Sequence, residues 1–189
     1  PLKMENPARA AIDCALAMID ELKSLAARDE RFADVRIGVG IATGDAIVGN
    51  LGGERHFDYS AVGDTVNLAS RLEGLTRHFK VDLLVNRATL EEAGSGFVTR
   101  AIGLVRVKGR DQLEPVVEVA GRDGDGVDPA YYQRFGQALS GMEHGASPEQ
   151  ELRGLLAERP EDKVVAMCLE QLHKPGGAAR EFVFEFDTK

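Results

Sequence analysis

Cysteine is scarce: Cys14 and Cys168 are the only two in 189 residues. Nothing has zinc-ligand spacing, and two such thiols make no disulfide framework. Both fall in apolar, helix-patterned surroundings and are expected to be small buried hydrophobes. A reducing, cytoplasmic setting fits. Long hydrophobic runs are missing too. With no stretch of about 18 apolar residues, no segment is expected to span or contact a membrane. The opening residues lack the basic-then-apolar order of a signal peptide. Basic residues are few: 23 Lys and Arg stand against 31 Asp and Glu, a net charge of −8. That balance speaks against a nucleic-acid partner, which calls for a basic face. A polyphosphate ligand remains possible, but it needs local cations or metal ions to offset the repulsion.

What is present is enough for a packed core. The hydrophobic fraction is 43%, too high for a disordered chain. The length suits one domain with an appendage. The chain opens Pro1-Leu2-Lys3-Met4-Glu5 and enters a helix at once, which reads like the interior of a longer protein.

Asn6 and Pro7 are helix-start residues. From there Ala8, Ala11, Ile12, Ala15, Leu16, Ile19 and Leu22 recur at spacings of three and four, one apolar stripe ending near Arg28. Residues 35–42 alternate as a strand, and the glycines at 38 and 40 imply one face packed very close to another element. Residues 43–45 read as a turn, 46–48 as the start of an extended piece, and 49–53 as a glycine-rich connection. Residues 57–62 are extended, and Gly63 breaks them. Asp64 is read as the cap of a helix running to about Phe79. A short strand over 81–85 follows, then a helix capped by Asn86, then strands over 97–107 and 115–119. Residues 121–127 hold three glycines in Gly-Arg-Asp-Gly-Asp-Gly and read as a linker. Helices are expected over 128–143, 148–158 (capped by Ser147) and 161–173. The tail from Phe182 to Phe186 reads as a strand or an ordered strap.

The most informative segment is 58–73. Asn67 and Arg71 are four apart on a predicted helix and so share one face. An amide supplies a donor and an acceptor, and a guanidinium supplies a fixed fork of donors. Such a pair can orient a sugar or base edge while neutralising a phosphate. Spacing alone equally allows a solvated face or an internal hydrogen bond.

Three ordered blocks carry a resemblance: residues 35–52 (VRIGVGIATGDAIVGNLG), 58–71 (DYSAVGDTVNLASR) and 105–109 (VRVKG). Together they resemble the class III adenylate/guanylate cyclase catalytic domain over about residues 1–120. The resemblance implies an α+β, ferredoxin-like fold lacking its first strands and helices. It divides the chain into a partial catalytic domain (1–120), a linker (121–127) and a helical extension with a C-terminal tail (128–189). It also implies a homodimer with active sites at the interface. One subunit brings two aspartates holding two divalent metals, Mg2+ or Mn2+. The other brings the Asn-x-x-x-Arg pair, here Asn67 on the ribose and Arg71 on the reacting phosphate. Lys108 would contact the terminal phosphates, and Ser60 occupies a base-reading position. The implied reaction is attack of the ribose 3′-oxygen on the α-phosphorus of ATP, giving cyclic AMP and pyrophosphate. The metal ions would activate the hydroxyl and clamp the phosphates.

Two departures matter. The metal-binding aspartates and the base-reading lysine of the family lie on strands preceding the first helix here; Asp13 and Asp20, on that helix, are not substitutes. This chain therefore supplies the transition-state half of a site without a metal half, and alone it is expected to be inactive. Ser60 stands where adenylate-specific members carry Asp or Thr. Its hydroxyl can accept from an adenine amino group or donate to a guanine carbonyl, so ATP is favoured and GTP stays open. A guanylate cyclase and a non-catalytic, nucleotide-binding regulatory partner are the alternatives.

Other signals are weaker. The glycines of 38–44 do not fit G-x-G-x-x-G, and 49–55 lacks the Gly-Lys-Ser/Thr of a P-loop. The four histidines are scattered. The stretch 155–162 resembles the end of a tetratricopeptide-like helix pair, but one repeat cannot make a stable array. These helices are expected to pack on the catalytic part or on a second subunit.

Overall fold

The computed structural model describes residues 4–53, 56–106, 113–143, 146–174 and 182–186. Helix α1 (Pro7–Arg28) starts where the Asn6 carboxamide oxygen accepts from the Arg9 amide at 2.8 Å, with Pro7 in the first turn. Its stripe buries Ala8, Ile12, Ala15, Leu16 and Ile19. Cys14 is exposed, contrary to the expectation for both thiols. Two residues past Ile12, it lies on the opposite side of the helix. Cys168 is fully buried, and burial pushes its thiol up to about 12.

Strand β1 (Val39–Ile41) is shorter than the alternation over 35–42 implies, because its partner β4 (Leu83–Asn86) offers only Leu83 to Val85 for pairing. Strands β2 (Ile47–Gly53) and β3 (His56–Val62) form a separate antiparallel hairpin. Residues 49–53, read as a connection, are strand. The ladder from Ile47–Val62 to Gly53–His56 overrides the weak strand preference of glycine. Helix α2 (Asp64–Phe79) follows; its N-cap is Gly63, and Asp64 is its first residue rather than its cap. Asn86 ends β4 and caps α3 (Arg87–Ala93), accepting from Thr89 N at 3.1 Å.

Strands β5 (Phe97–Arg106) and β6 (Leu113–Arg122) form the long antiparallel centre of the main sheet. β6 continues two residues beyond Ala120, into the stretch read as a linker, because its last residues pair with Phe97 and Val98. Helices α4 (Pro129–Glu143), α5 (Glu149–Glu158) and α6 (Lys163–Leu172) come next, and β7 (Val183–Glu185) closes the described chain. The α5 N-cap is Pro148; Ser147 sits one residue further out and accepts a 3.4 Å bond from Glu149 N.

The five-stranded sheet runs β1-β4-β6-β5-β7, with parallel pairs at both edges and antiparallel pairs between. It is covered on both faces. Leu83, Val85, Val117 and Val119 pack under α1 and α3. Leu84 and Val116, one residue off, face α2, the C-terminal helices and β7. That alternation is the period of two expected of strands.

The C-terminal helices are fastened to the sheet by buried charges. Arg100 on β5 donates from Nε to Glu118 on β6, and from Nη1 and Nη2 to Asp162 at 2.6 and 3.1 Å. All three side chains are less than a tenth exposed. Asp162 also caps α6 through Val165 N and accepts from the Tyr131 hydroxyl at 2.8 Å. Burial alone would raise the Asp162 carboxyl, but hydrogen bonds and charge from Arg100, with the Tyr131 hydroxyl, hold it below its ordinary 3.8. Burial pushes the Glu118 carboxyl up, against the pull of Arg100.

Helix α2 lies unusually close to β1. A Cβ at Gly40 would run into the backbone of Ala69, Leu72 and Glu73, and one at Gly38 into Thr76. Gly40→Ala is expected to destabilise by about 1–3 kcal/mol through overpacking. Gly74→Ala, on the same helix with nothing within 4 Å of the added carbon, should stabilise by roughly 0.5–1 kcal/mol. Urea midpoints of the two variants check the pair; equal effects would contradict the close approach. Asp162→Asn should cost about 1.5–3 kcal/mol, because Arg100 keeps Glu118 but loses its charge-assisted bonds to the Asp162 carboxylate. Because the folded carboxyl titrates lower than the unfolded one, its contribution is complete above 3.8 and fades as pH falls below it. Melting curves against pH should show that acid-side loss shrinking in the Asn variant.

Candidate active site

The site rests on how α2 is held. One side presses on the β1 glycines, and Leu68, Leu72, Leu75 and Phe79 are buried in the core. Asn67 and Arg71 lie beside that buried stripe, one turn apart on one face. Asn67 is exposed and Arg71 half-buried. Among the described residues neither side chain has a hydrogen-bond or ion-pair partner. The internal hydrogen bond that spacing alone allowed is not made; both groups stand available to a ligand.

Ser60 is half-buried on β3, opposite Gly49. Between it and the helix the chain turns at Gly63, whose φ of 145° suits only glycine. The Thr65 hydroxyl ties the helix start back by donating to Asp45 O at 2.8 Å. The structure thus sets Ser60 on one side of a tight turn and Asn67 with Arg71 on the other. Lys108 lies outside the described residues.

Sequence reasoning read Asn86 only as a cap. Its carboxamide also binds the backbone of Thr43 in both directions, each bond 3.1 Å, and Thr89 donates to the Thr43 hydroxyl oxygen at 3.0 Å. This half-buried knot fixes the exit of β1 toward the hairpin. An Asn followed three residues later by Thr signals a cap, but nothing local signals the partner 43 residues upstream.

Cavities of 380, 260 and 600 Å³ lie along α1, the β6 end and the far end of α2, and none of these three includes Ser60, Asn67 or Arg71. A divalent metal finds no fit either. Asp13 and Asp20 are drawn to Arg122, at 2.9 and 3.7 Å. Among the described residues no three His, Cys, Asp or Glu side chains gather to hold an ion. Also among the described residues, no helix is long and apolar enough to cross a membrane.

The structure thus brings an amide and a guanidinium together, one turn apart, on a helix of an α+β domain. The sequence profile of the adenylate and guanylate cyclase catalytic domain matches residues 2–117, and the chain belongs to that family. It is 36% identical over 121 residues to the terminal-differentiation-specific adenylate cyclase of Dictyostelium discoideum, covering 62% of this chain and 6% of that protein. It is 34% identical over 123 residues to adenylate cyclase 1 of Rhizobium meliloti (strain 1021), covering 64% of this chain and 18% of that protein. The chain thus spans only a small part of these curated relatives. The crystal structure of the guanylyl cyclase Cya2 superposes with a TM-score of 0.55 at 28% identity, over 68% of this chain and 64% of that one. The mixed α+β fold is that of class III cyclases, enzymes that use divalent metals generally. The helices beyond residue 117 fall outside the family match.

Proposed function

We propose that this chain supplies the transition-state half of an adenylate cyclase site, converting ATP to cyclic AMP and pyrophosphate, and that a second copy completes the site. The observation that carries the reading is the pair Asn67 and Arg71, without a partner among the described residues and one helical turn apart on a helix locked to the sheet. In the reaction the ribose 3′-oxygen bonds to the α-phosphorus, the bond to the pyrophosphate oxygen breaks, and the hydroxyl proton is lost. Asn67 holds the ribose so that its oxygen meets the phosphorus in line. Arg71 faces the α-phosphoryl oxygens, where negative charge accumulates. A preplaced donor at such a position contributes about 3–4 kcal/mol. Ser60 reads the base edge, and Lys108 would hold the terminal phosphates. The two relatives named adenylate cyclases support ATP as substrate, as does the likeness of the Ser60 hydroxyl to threonine.

Arg71→Ala in a polypeptide long enough to include the family's metal aspartates should lower turnover roughly 100- to 1000-fold with its melting temperature unchanged. A cyclase assay with ATP and GTP in parallel, in magnesium and in manganese, measures this and the base preference; full activity in the variant would refute the role. The 189 residues alone should show no turnover in the same assay.

Completion by a second copy is supported by the β2–β3 hairpin. Ile47 is 72% exposed, Tyr59 63% and Val48 54%, and Val62 and Val66 are exposed beside them. Among the described residues the hairpin joins no strand of the main sheet, and these apolar side chains stay exposed. Ile47→Asp should shift the protein toward monomer and reduce activity while leaving the melting temperature alone. Sedimentation velocity checks it: an unchanged dimer, or a monomer with full activity, would count against the interface.

A further inference from the structure

We propose that the C-terminal strand β7 is a positioning strap that sets the placement of helix α2, which carries Asn67 and Arg71, with Phe184 as its key. The proposal rests on the cyclase reading above. Three observations converge on it.

First, β7 is built into the sheet rather than laid over it. It pairs in parallel with β5 at Leu104, Val105 and Arg106, and Leu104 N donates to Phe182 O at 2.8 Å. The strand opposite is shaped to admit it. Gly103 has a φ of 140°, and a Cβ there would meet the carbonyl oxygen of Phe182 at 2.5 Å. The β5–β6 register also shifts between Ala101 and Gly103. A glycine and a bulge at the contact show a strand fitted to a close neighbour.

Second, the strap grips α2. Phe184 is 2% exposed and meets Phe79, in the last turn of that helix, edge to face at 5.1 Å. Phe186 adds contacts to Phe79 at 5.4 Å and to His78 at 4.7 Å. Helix α2 is therefore pinned near its middle by the β1 glycines and at its end by the strap. Arg71 lies within the stretch that the glycines hold, on the N-terminal side of the strap's contact.

Third, the strap is held from further elements. Its pairing with β5 runs to Arg106, whose guanidinium donates to the Glu185 carboxylate at 2.7 Å. From α6, Gln171 bonds the carbonyl of Val183 and ties the strap to the helical extension. A rigid placement of this kind matters because a misplacement of about 1 Å can cost roughly 100-fold in rate.

The test uses Phe184→Ala, its conservative counterpart Phe184→Leu, and Leu152→Ala as an equally buried control in α5. In the 189-residue chain, hydrogen exchange in Phe184→Ala is expected to quicken at residues 104–106 and in the last turn of α2, with α1 unchanged. In the longer, active polypeptide, kcat should fall roughly 10- to 100-fold with KM for ATP nearly constant, and Phe184→Leu should recover most of it. Leu152→Ala should lower the melting temperature as much, yet keep kcat at temperatures well below melting. Equal kcat losses in the alanine variants, or unchanged exchange at 104–106, would overturn the strap. Arg71→Ala runs beside them. If that variant is fully active the cyclase reading fails on its own account, while the exchange data still judge the strap.

Discussion

The contact on which the rest depends is the approach of α2 to β1. Two glycines remove the side chains that would hold the helix off, and the backbone of Ala69, Leu72 and Glu73 comes down onto the strand. That proximity fixes the axis of α2 and turns Leu68, Leu72 and Leu75 into the core. Asn67 and Arg71 are thereby set beside the buried stripe instead of opposite it. Exposed side chains on a loosely packed helix would sample many positions. The same groups on a helix seated against backbone have few.

A second constraint acts on the same face of the sheet. The helices after residue 128 are joined to β5 and β6 through Arg100, Glu118 and Asp162, and they share one hydrophobic cluster with α2. Buried ion pairs of this kind add little net stability over apolar packing, but they penalise any arrangement that separates the partners. The extension is accordingly part of the core that supports α2.

Much of this was legible in the sequence, and what was not has physical causes. The α1 stripe, its Asn6 cap and the extent of α2 could be read because local spacing and capping chemistry decide them. The close approach at Gly38 and Gly40 was readable as such, though its partner was not. Residues 49–53 looked like a loop because glycine disfavours strands in isolation, and only pairing with 56–62 decided otherwise. Strand β1 came out short because its length belongs to β4. The Arg100 network left no trace, since its members stand 18 and 62 residues apart. Of the candidate site, the spacing of Asn67 and Arg71 put them on one helix face, while the role proposed for them rests on the resemblance. The knot of Thr43, Asn86 and Thr89, and the strap over Phe79, join distant segments and became visible only when the chain was folded.

Gly63 has a consequence of its own. It separates the hairpin from the helix in a conformation essentially closed to other residues, although space for a methyl group exists there. Any replacement must bear a torsional penalty of order 1–3 kcal/mol or twist the hairpin against the helix to escape it. A lesion at this position would look, in kinetics, like damage to the chemistry, with every reacting group still in place. Tolerance here is governed by a dihedral angle and not by what the residue could touch.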